Sequence, residues 1–336
     1  MYICPSLFTG QQAEVLNALR LSIVIAWPQT GLEQNGCDVV SLTLTSAQHW
    51  FSQFVQAACV PQAYDSSVTS AQEAYMDSVT GRWALVTGAS SGFGLEFATL
   101  LAQKGANLVL VARRKEPMER LAERLRRDQR IDVVVETLDL SEASAAAALK
   151  ARINTRSIQV DVLVNNAGYG LYGEFLDQPV ERLREMLQVN ILAVTEVAHL
   201  FGCEMANRGS GHILFIASLL AYQATPGYAA YAASKAYVLL LGEALNSELK
   251  AHGVTVTVLS PGPTATSFAE VAGQKNTPMT RMLMMEPTPV ARLGIDSMLQ
   301  RRSSVVAGLL NKMIVFGNRF TPRRLQRQIM QSAVGG

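Results

Sequence analysis

Short apolar runs alternate with longer helical patterns from residue 81 onward, and this rhythm limits the possible folds more than any other feature. The runs are rich in β-branched residues, and a segment long enough for a crossover helix follows each of them; they span 83–86, 108–111, 133–135, 160–164, 213–216 and 254–259. Apolar strands separated by helices form a parallel sheet that is covered on both faces. We therefore predict an α/β fold of three layers, with a doubly wound parallel sheet between helices.

Residues 1–78 precede this rhythm and differ from it in charge. They contain six acids and one base, a net charge of −5, so residues 79–336 must carry +7 to give the total of +2. The segment has no sustained period of 2 or 3.6 and no alternation of strands with helices. One possible interpretation is that residues 1–78 form a small subdomain. We expect instead a poorly ordered extension or a mis-assigned start, with Met76 as the true start and 79–336 as a single domain.

A glycine-rich loop joins the first predicted strand to the first predicted helix. After Thr87 it contains Gly88, Ser90, Ser91, Gly92, Phe93 and Gly94. Glycines allow a tight turn and a close backbone approach to phosphate, and the N-terminus of the next helix offers unpaired N–H groups and partial positive charge. Three glycines often serve only a turn, and their spacing differs from G-x-G-x-x-G. Their position between strand and helix indicates a dinucleotide site.

The end of the second predicted strand indicates which dinucleotide binds. An NAD site usually has an acid here for the ribose 2′-hydroxyl, but this chain has Ala112 followed by Arg113 and Arg114. A guanidinium fork matches the geometry and charge of a phosphate. The two arginines therefore predict NADP(H) as the cofactor. The alternative is that both begin a solvated helix.

A tyrosine and a lysine four residues apart, Tyr231 and Lys235, lie in an apolar helical stretch. This spacing puts both side chains on one helix face. A lysine cation should lower the pKa of a phenol from about 10, which suits general acid/base work on an alcohol or a carbonyl. Ser218 ends the preceding strand, at the edge where parallel sheets bind ligands, and its hydroxyl is suited to hold a substrate oxygen. If Tyr231 and Lys235 were absent, Ser218 would be interpreted as a serine that begins a loop.

Taken in order, these motifs resemble the short-chain dehydrogenase/reductase family in its compact single-domain form. The similar stretch runs from about residue 81 to 266, weakens to about 327, and includes Asp139-Leu140, Asn190 and Pro261-Gly262. The resemblance implies a Rossmann-type fold and NADP(H)-dependent interconversion of a carbonyl and a secondary alcohol by hydride transfer. Tyr231 would be the general acid/base, and Ser218 would hold the substrate oxygen. Lys235 would lower the pKa of Tyr231 and hold the nicotinamide ribose.

The resemblance also implies roles for residues around the cleft. Asn190 would kink its helix and anchor a water that relays protons to Lys235, whereas the alternative is a merely buried polar group. Asp139 would contact the adenine, with a helix cap before Ser141 as the alternative. The remaining cofactor-binding residues would be Asn166, Ala167, Gly168, Pro261, Gly262, Thr264 and Thr266.

The substrate is less constrained than the cofactor. Family members carry a substrate lid after the sixth strand, here at about 265–295, where four methionines lie between Pro278 and Pro287. Methionines adapt to irregular apolar shapes, so an apolar carbonyl substrate is one interpretation and a helix packed on the core is the other. Two alternatives to the carbonyl–alcohol oxidoreductase stay open. One is a non-catalytic nucleotide-sensing or scaffolding protein, and the other is an epimerase or dehydratase.

Composition and charge limit the possible partners. The basic residues do not form runs with interleaved aromatics, which argues against nucleic acid. The four cysteines lack metal-ligand spacing, so we expect no metal, reduced thiols and a cytoplasmic location. No stretch reaches the roughly 20 apolar residues of a membrane span. In similar proteins the helices that hold Asn190 and Tyr231 pair across a two-fold axis, which implies a homodimer or homotetramer.

Overall fold

A computed structural model describes residues 79–266, 268, 272–273 and 284–334. The predictions for 1–78, including the start at Met76, lie outside these residues. In chain order, the elements up to the centre of the sheet are β1 (Trp83–Thr87), α1 (Gly92–Gln103), β2 (Asn107–Ala112), α2 (Lys115–Gln129), β3 (Val133–Thr137), α3 (Ala145–Thr155) and β4 (Val160–Asn165). The helices alternate with the strands, as the apolar pattern predicted.

The second half continues with α4 (Val180–Leu187), a π-helical turn (Gln188–Ala193), α5 (Val194–Arg208), β5 (Gly211–Ile216), α6 (Ala229–Lys250), β6 (Val254–Ser260), α7 (Pro287–Leu299), β7 (Ser304–Val306), α8 (Leu309–Asn318) and α9 (Arg323–Val334). Short 3-10 helices lie at Phe175–Asp177 and Leu219–Tyr222. The six predicted strands are therefore confirmed, and β7 is an addition at the edge of the sheet.

The seven strands form one parallel sheet in the order β3-β2-β1-β4-β5-β6-β7. The chain leaves β1 toward β2 and returns to the other side of β1 with β4, so the strand order reverses between β1 and β4. The carboxyl ends of the strands at such a reversal form a crevice in which open α/β sheets bind ligands. The predicted doubly wound, Rossmann-type sheet is confirmed.

Each face of the sheet is covered by helices that bury apolar side chains. Phe97 of α1, Met118 of α2 and Ile295 of α7 belong to the core on one face. Leu149 of α3 and Phe201 of α5 belong to the core on the other face, where α6 also packs. The three predicted layers are thus present. Residues 287–295, part of the expected lid, lie in α7, which packs against α1 in the core.

Among the described residues, the segment Val180–Arg208 is long and apolar enough to cross a membrane by length and composition. Half of its most apolar window is buried inside the protein. Val197 and Phe201 are fully covered, and they pack in the core between the helices and the sheet. Core helices commonly satisfy the same criterion, so this segment is weak evidence for a membrane span.

Candidate active site

One cavity of about 1130 Å³ lies at the carboxyl edge of the sheet. Of the predicted site residues, all except Gly94 and Asn190 line it. The structure therefore brings together the glycine-rich loop after β1, the arginines after β2, the segment after β4 and the pair in α6. Gly94 and Asn190 lie behind the cavity wall, where they shape the backbone around it.

The glycine-rich loop is shaped by close backbone contacts. Gly88 has a φ of 70°, in the region that glycine enters without strain. A Cβ on Gly94 would collide with the carbonyl oxygen of Gly88, so this position in α1 accepts glycine alone. The Thr87 hydroxyl accepts hydrogen bonds from the backbone N–H groups of Asn166 and Ala167, both at 2.9 Å, and ties the loop to the end of β4.

The two arginines after β2 take different partners. Arg114 donates to the hydroxyls of Ser90 at 3.2 Å and Ser91 at 2.8 Å, so its guanidinium lies against the glycine-rich loop. Arg113 lies 3.8 Å from a carboxylate oxygen of Asp139 and 3.5 Å from one of Glu185. Both arginines are exposed, and both border the cavity. Arg114 is thus the cation that the loop itself positions.

Asp139 is held by the turn that follows β3. One carboxylate oxygen accepts hydrogen bonds from the backbone N–H of Ser141 at 2.9 Å and from its hydroxyl at 2.8 Å. They form a local turn and not the helix cap of the alternative interpretation, because α3 begins at Ala145 with Ser144 at its N-cap. Asp139 also lines the cavity, and the two roles are compatible because its second oxygen faces Arg113.

Ser218, Tyr231 and Lys235 meet at the end of β5. The Ser218 hydroxyl accepts a hydrogen bond from the N–H of Leu220 at 3.1 Å, which begins the short 3-10 helix, and it is near enough to the Tyr231 phenol to lower the pKa of that group. The Lys235 ammonium donates to the carbonyl oxygen of Ile216 at 2.8 Å and lies 5.9 Å from the centre of the Tyr231 ring. All three side chains are buried, so the arrangement is shielded from bulk water.

Burial controls the protonation of this pair. It raises the pKa of Tyr231 above its ordinary value of 10, and the hydrogen bond from Ser218 opposes this rise only in part. The lowering of the Tyr231 pKa that we expected from Lys235 does not dominate, because removal from water disfavours the phenolate more strongly. Burial also lowers the pKa of Lys235 from 10.5 to about 8. Near neutral pH, the phenol is protonated and the lysine is largely charged.

Asn190 lies in the π-helical turn between α4 and α5. Its side-chain amide is fully buried, donates to the carbonyl oxygen of Tyr169 at 2.9 Å and to the Ser234 hydroxyl at 3.1 Å, and accepts from the Tyr169 N–H at 3.1 Å. A π-turn interrupts the regular ladder of a helix and is frequent at functional sites. A Cβ on Gly168 would lie 2.9 Å from the Asn190 amide oxygen, so these residues pack in direct contact.

Several cavity residues were not anticipated. Tyr228 and Phe268 pack on the Tyr231 ring, with centroids 5.6 Å and 5.2 Å away. Ile314 of α8 and Met330 of α9 also line the cavity. The Gln223 amide contacts the Met330 sulfur at 2.8 Å across 107 residues of sequence. No short sequence pattern could have indicated such distant contacts. The position of Tyr228, three residues before Tyr231, was a signal that could have placed it beside the site.

Comparison with known proteins gives the family. The family model for short chain dehydrogenases matches residues 82–277, more than half of the chain. The chain belongs to the short-chain dehydrogenase/reductase family. Members of this family are oxidoreductases that use nicotinamide cofactors, and the predicted resemblance is confirmed.

Individual short-chain dehydrogenases agree with this assignment. The probable oxidoreductase EphD of Mycobacterium tuberculosis is 34% identical over 189 residues, 56% of this chain, and the match spans only 32% of EphD. A short-chain dehydrogenase from Sphingobium yanoikuyae, solved in complex with NADPH, is 30% identical with a TM-score of 0.65, covering 71% of this chain and 94% of that one. The bulky-bulky ketone specific alcohol dehydrogenase from Comamonas testosteroni is 28% identical with a TM-score of 0.61, covering 71% and 92%.

Proposed function

We propose that this protein is an NADP(H)-dependent oxidoreductase that interconverts a carbonyl and a secondary alcohol. The observation that carries the proposal is the meeting of Ser218, Tyr231 and Lys235 at the end of β5, inside the cavity that the glycine-rich loop also lines. A phenol, an ammonium and a hydroxyl around the binding position of a substrate oxygen are the groups that proton transfer to that oxygen requires.

The residues of this chain fit a dinucleotide phosphate. The loop from Gly88 to Gly94 leaves no room for a Cβ at its closest approach, and the N-terminus of α1 begins at Gly92 beside it. Arg114 would hold the 2′-phosphate together with the Ser90 and Ser91 hydroxyls that it contacts, and Arg113 would add a second positive charge. When bound, the nicotinamide supplies the hydride for the carbonyl carbon.

The protein's own contribution is the proton and its control. The Ser218 hydroxyl orients the substrate oxygen toward Tyr231, and the Tyr231 phenol donates its proton to that oxygen during reduction. The raised pKa of Tyr231 keeps this proton in place until the oxygen becomes basic. The charged Lys235 then stabilises the phenolate, and the wall formed by Tyr228 and Phe268 excludes water.

The rest of the cavity favours a bulky, largely apolar substrate. Its wall beyond Tyr231 contains the aromatic, aliphatic and methionine side chains of Leu220, Tyr228, Phe268, Met284, Ile314 and Met330. Four polar side chains lie among them: Gln223, Asn318, Thr321 and Gln326. Such surfaces adapt to irregular apolar shapes. The ketone specificity in the name of the similar Comamonas enzyme supports the same substrate class.

The charge of Lys235 should give carbonyl reduction a descending limb at high pH. Because burial lowers the pKa of Lys235 to about 8, its charge is present below that pH and is lost as the pH rises through it. We expect kcat/KM for reduction to be constant below this value and to fall about tenfold per pH unit above it. The measurement is the pH profile of kcat/KM with saturating NADPH.

Two substitutions give this profile its control. Lys235→Arg should move the descending limb to higher pH, because a guanidinium stays charged throughout the range. Lys250→Arg, at the exposed end of the same helix, should leave the limb unchanged. A limb that keeps its position in Lys235→Arg would assign the titration to another group and contradict the proposed role.

We also propose a homodimer or homotetramer built on α5 and α6. The two helices are joined by a hydrogen bond of 2.8 Å between Thr195 and Tyr237, and Leu240 on α6 is 67% exposed. Leu240→Glu should therefore shift the protein toward monomer in sedimentation experiments, because it puts charge into an apolar contact. An unaltered protein that sediments as a monomer at micromolar concentration would contradict the proposal.

A further inference from the structure

An exposed row of apolar side chains runs along α8 and into the turn that follows it. Leu309, Met313, Phe316 and Phe320 are 76%, 62%, 60% and 74% exposed. Spacings of four and three residues put the first three on one face of α8, and Phe320, two residues after the helix ends, extends the row because its ring contacts that of Phe316 with centroids 5.3 Å apart. This is a continuous apolar row at the surface, which marks an interaction site more often than scattered single residues do.

The same region is strongly basic. Residues 307–336 contain five cations and no aspartate or glutamate: Lys312, Arg319, Arg323, Arg324 and Arg327. All five are exposed, and within the described residues none of them pairs with an acid. Lys312 and Arg319 each follow a residue of the apolar row by three positions, so positive charge flanks the row. We call the four apolar and five basic residues the C-terminal surface.

The C-terminal surface adjoins the cavity. Ile314 and Gly317 of α8 line the cavity, and so does Ile329 of α9, which is also 50% exposed. The two helices that carry the C-terminal surface, α8 and α9, therefore also form part of the cavity wall. A partner bound to this surface would lie beside the substrate site.

An exposed apolar row beside unpaired cations is the pattern of a helix that lies in a membrane interface. Apolar side chains enter the boundary between headgroups and acyl chains, while lysines and arginines contact anionic headgroups. A second copy of this chain fits less well, because a two-fold interface would bring two surfaces of charge +5 together. We propose that the C-terminal surface docks the protein peripherally on an anionic lipid bilayer, with α8 between the bilayer and the cavity.

The test uses the full chain and two kinds of lipid vesicle. One consists of phosphatidylcholine alone, and the other of phosphatidylcholine with phosphatidylglycerol. Co-sedimentation should show binding to the anionic vesicles that weakens as salt is raised, and far weaker binding to the neutral ones. Binding is measured without turnover, so its failure would leave the proposed carbonyl chemistry untouched.

Paired variants locate the binding surface. Arg323→Gln with Arg324→Gln should weaken binding to anionic vesicles about thirtyfold, because each cation near such a surface contributes about fivefold. Phe316→Ser with Phe320→Ser should weaken it more than about tenfold by removing exposed apolar area. Arg120→Gln with Arg124→Gln, two exposed arginines of α2, should leave it unchanged. None of these side chains lines the cavity, so NADPH affinity should stay constant and report intact folding.

Three outcomes would overturn the proposal. The first is equal binding to neutral and anionic vesicles, and the second is binding to neither. The third is a dimer in sedimentation that the Phe316→Ser, Phe320→Ser variant separates into monomers, which would assign the surface to a second copy of the chain.

Discussion

Replacing Tyr231 by phenylalanine is expected to lower kcat for carbonyl reduction by two to four orders of magnitude and to leave NADPH affinity nearly unchanged. The substitution removes one hydroxyl and keeps a ring that packs between Tyr228 and Phe268. Proton transfer by a positioned group contributes about 10²–10⁴ to a rate. Steady-state kinetics with a saturating carbonyl and NADPH would measure the loss.

Tyr222→Phe is the matched control. It removes a phenolic hydroxyl that lies 3.3 Å from the Ser260 hydroxyl, four residues after Ser218 and outside the cavity wall. Its kcat should stay close to that of the unaltered protein. A loss of less than about tenfold in Tyr231→Phe, or an equal loss in both variants, would reject Tyr231 as the proton donor.

The cofactor preference should be large and reversible by substitution. A hydrogen bond from a guanidinium to a phosphate contributes roughly 1.5–3 kcal/mol, so NADPH should exceed NADH in kcat/KM by about ten- to a hundredfold. Arg114→Ala should remove most of this preference, because Arg114 is the cation that contacts Ser90 and Ser91. Ala112→Asp with Arg113→Ala should reverse it, by adding an acceptor for a 2′-hydroxyl and removing a cation.

The kcat/KM values for NADPH and NADH should be measured at one fixed salt concentration, in the unaltered protein and in the variants, since salt weakens exposed ion pairs. Arg120→Ala, an exposed arginine of α2 that lies 3.9 Å from Glu116, is the control and should leave the ratio unchanged. Equal kcat/KM values for NADPH and NADH in the unaltered protein would mean that Arg113 and Arg114 do not contact the cofactor. The two residues would then only begin a solvated helix, which is the alternative interpretation.

The strands were predictable because a buried parallel strand is apolar on both faces, and six such runs stand out in the sequence. The seventh, Ser304–Val306, has three residues and one neighbour, so its apolar signal is too short to see. The interruption at Gln188–Ala193 was expected only from the family resemblance, which implied a kink at Asn190, since the π-turn depends on the buried bonds between Asn190, Tyr169 and Ser234.

The site was predictable where its chemistry is local and hidden where it is assembled from distant parts. The glycine-rich loop and the Tyr231–Lys235 pair depend on spacings of a few residues, so the sequence displays them. The contact of Gln223 with Met330 depends on folding of the whole chain, so the role of α8 and α9 in the cavity could not be foreseen. The pKa of Tyr231 likewise reflects burial, which spacing does not reveal.

If this cavity carries out hydride and proton transfer at a carbonyl, the hydrogen that leaves NADPH must appear in an alcohol product. The most direct test is to follow deuterium from NADPH labelled at the transferring position into alcohol products, using a set of bulky apolar ketones. We expect deuterium at the carbinol carbon of at least one product with the unaltered protein, and its loss with Tyr231→Phe. Tight binding of NADPH without labelled alcohol from any ketone of the set would contradict it and favour a nucleotide-sensing protein.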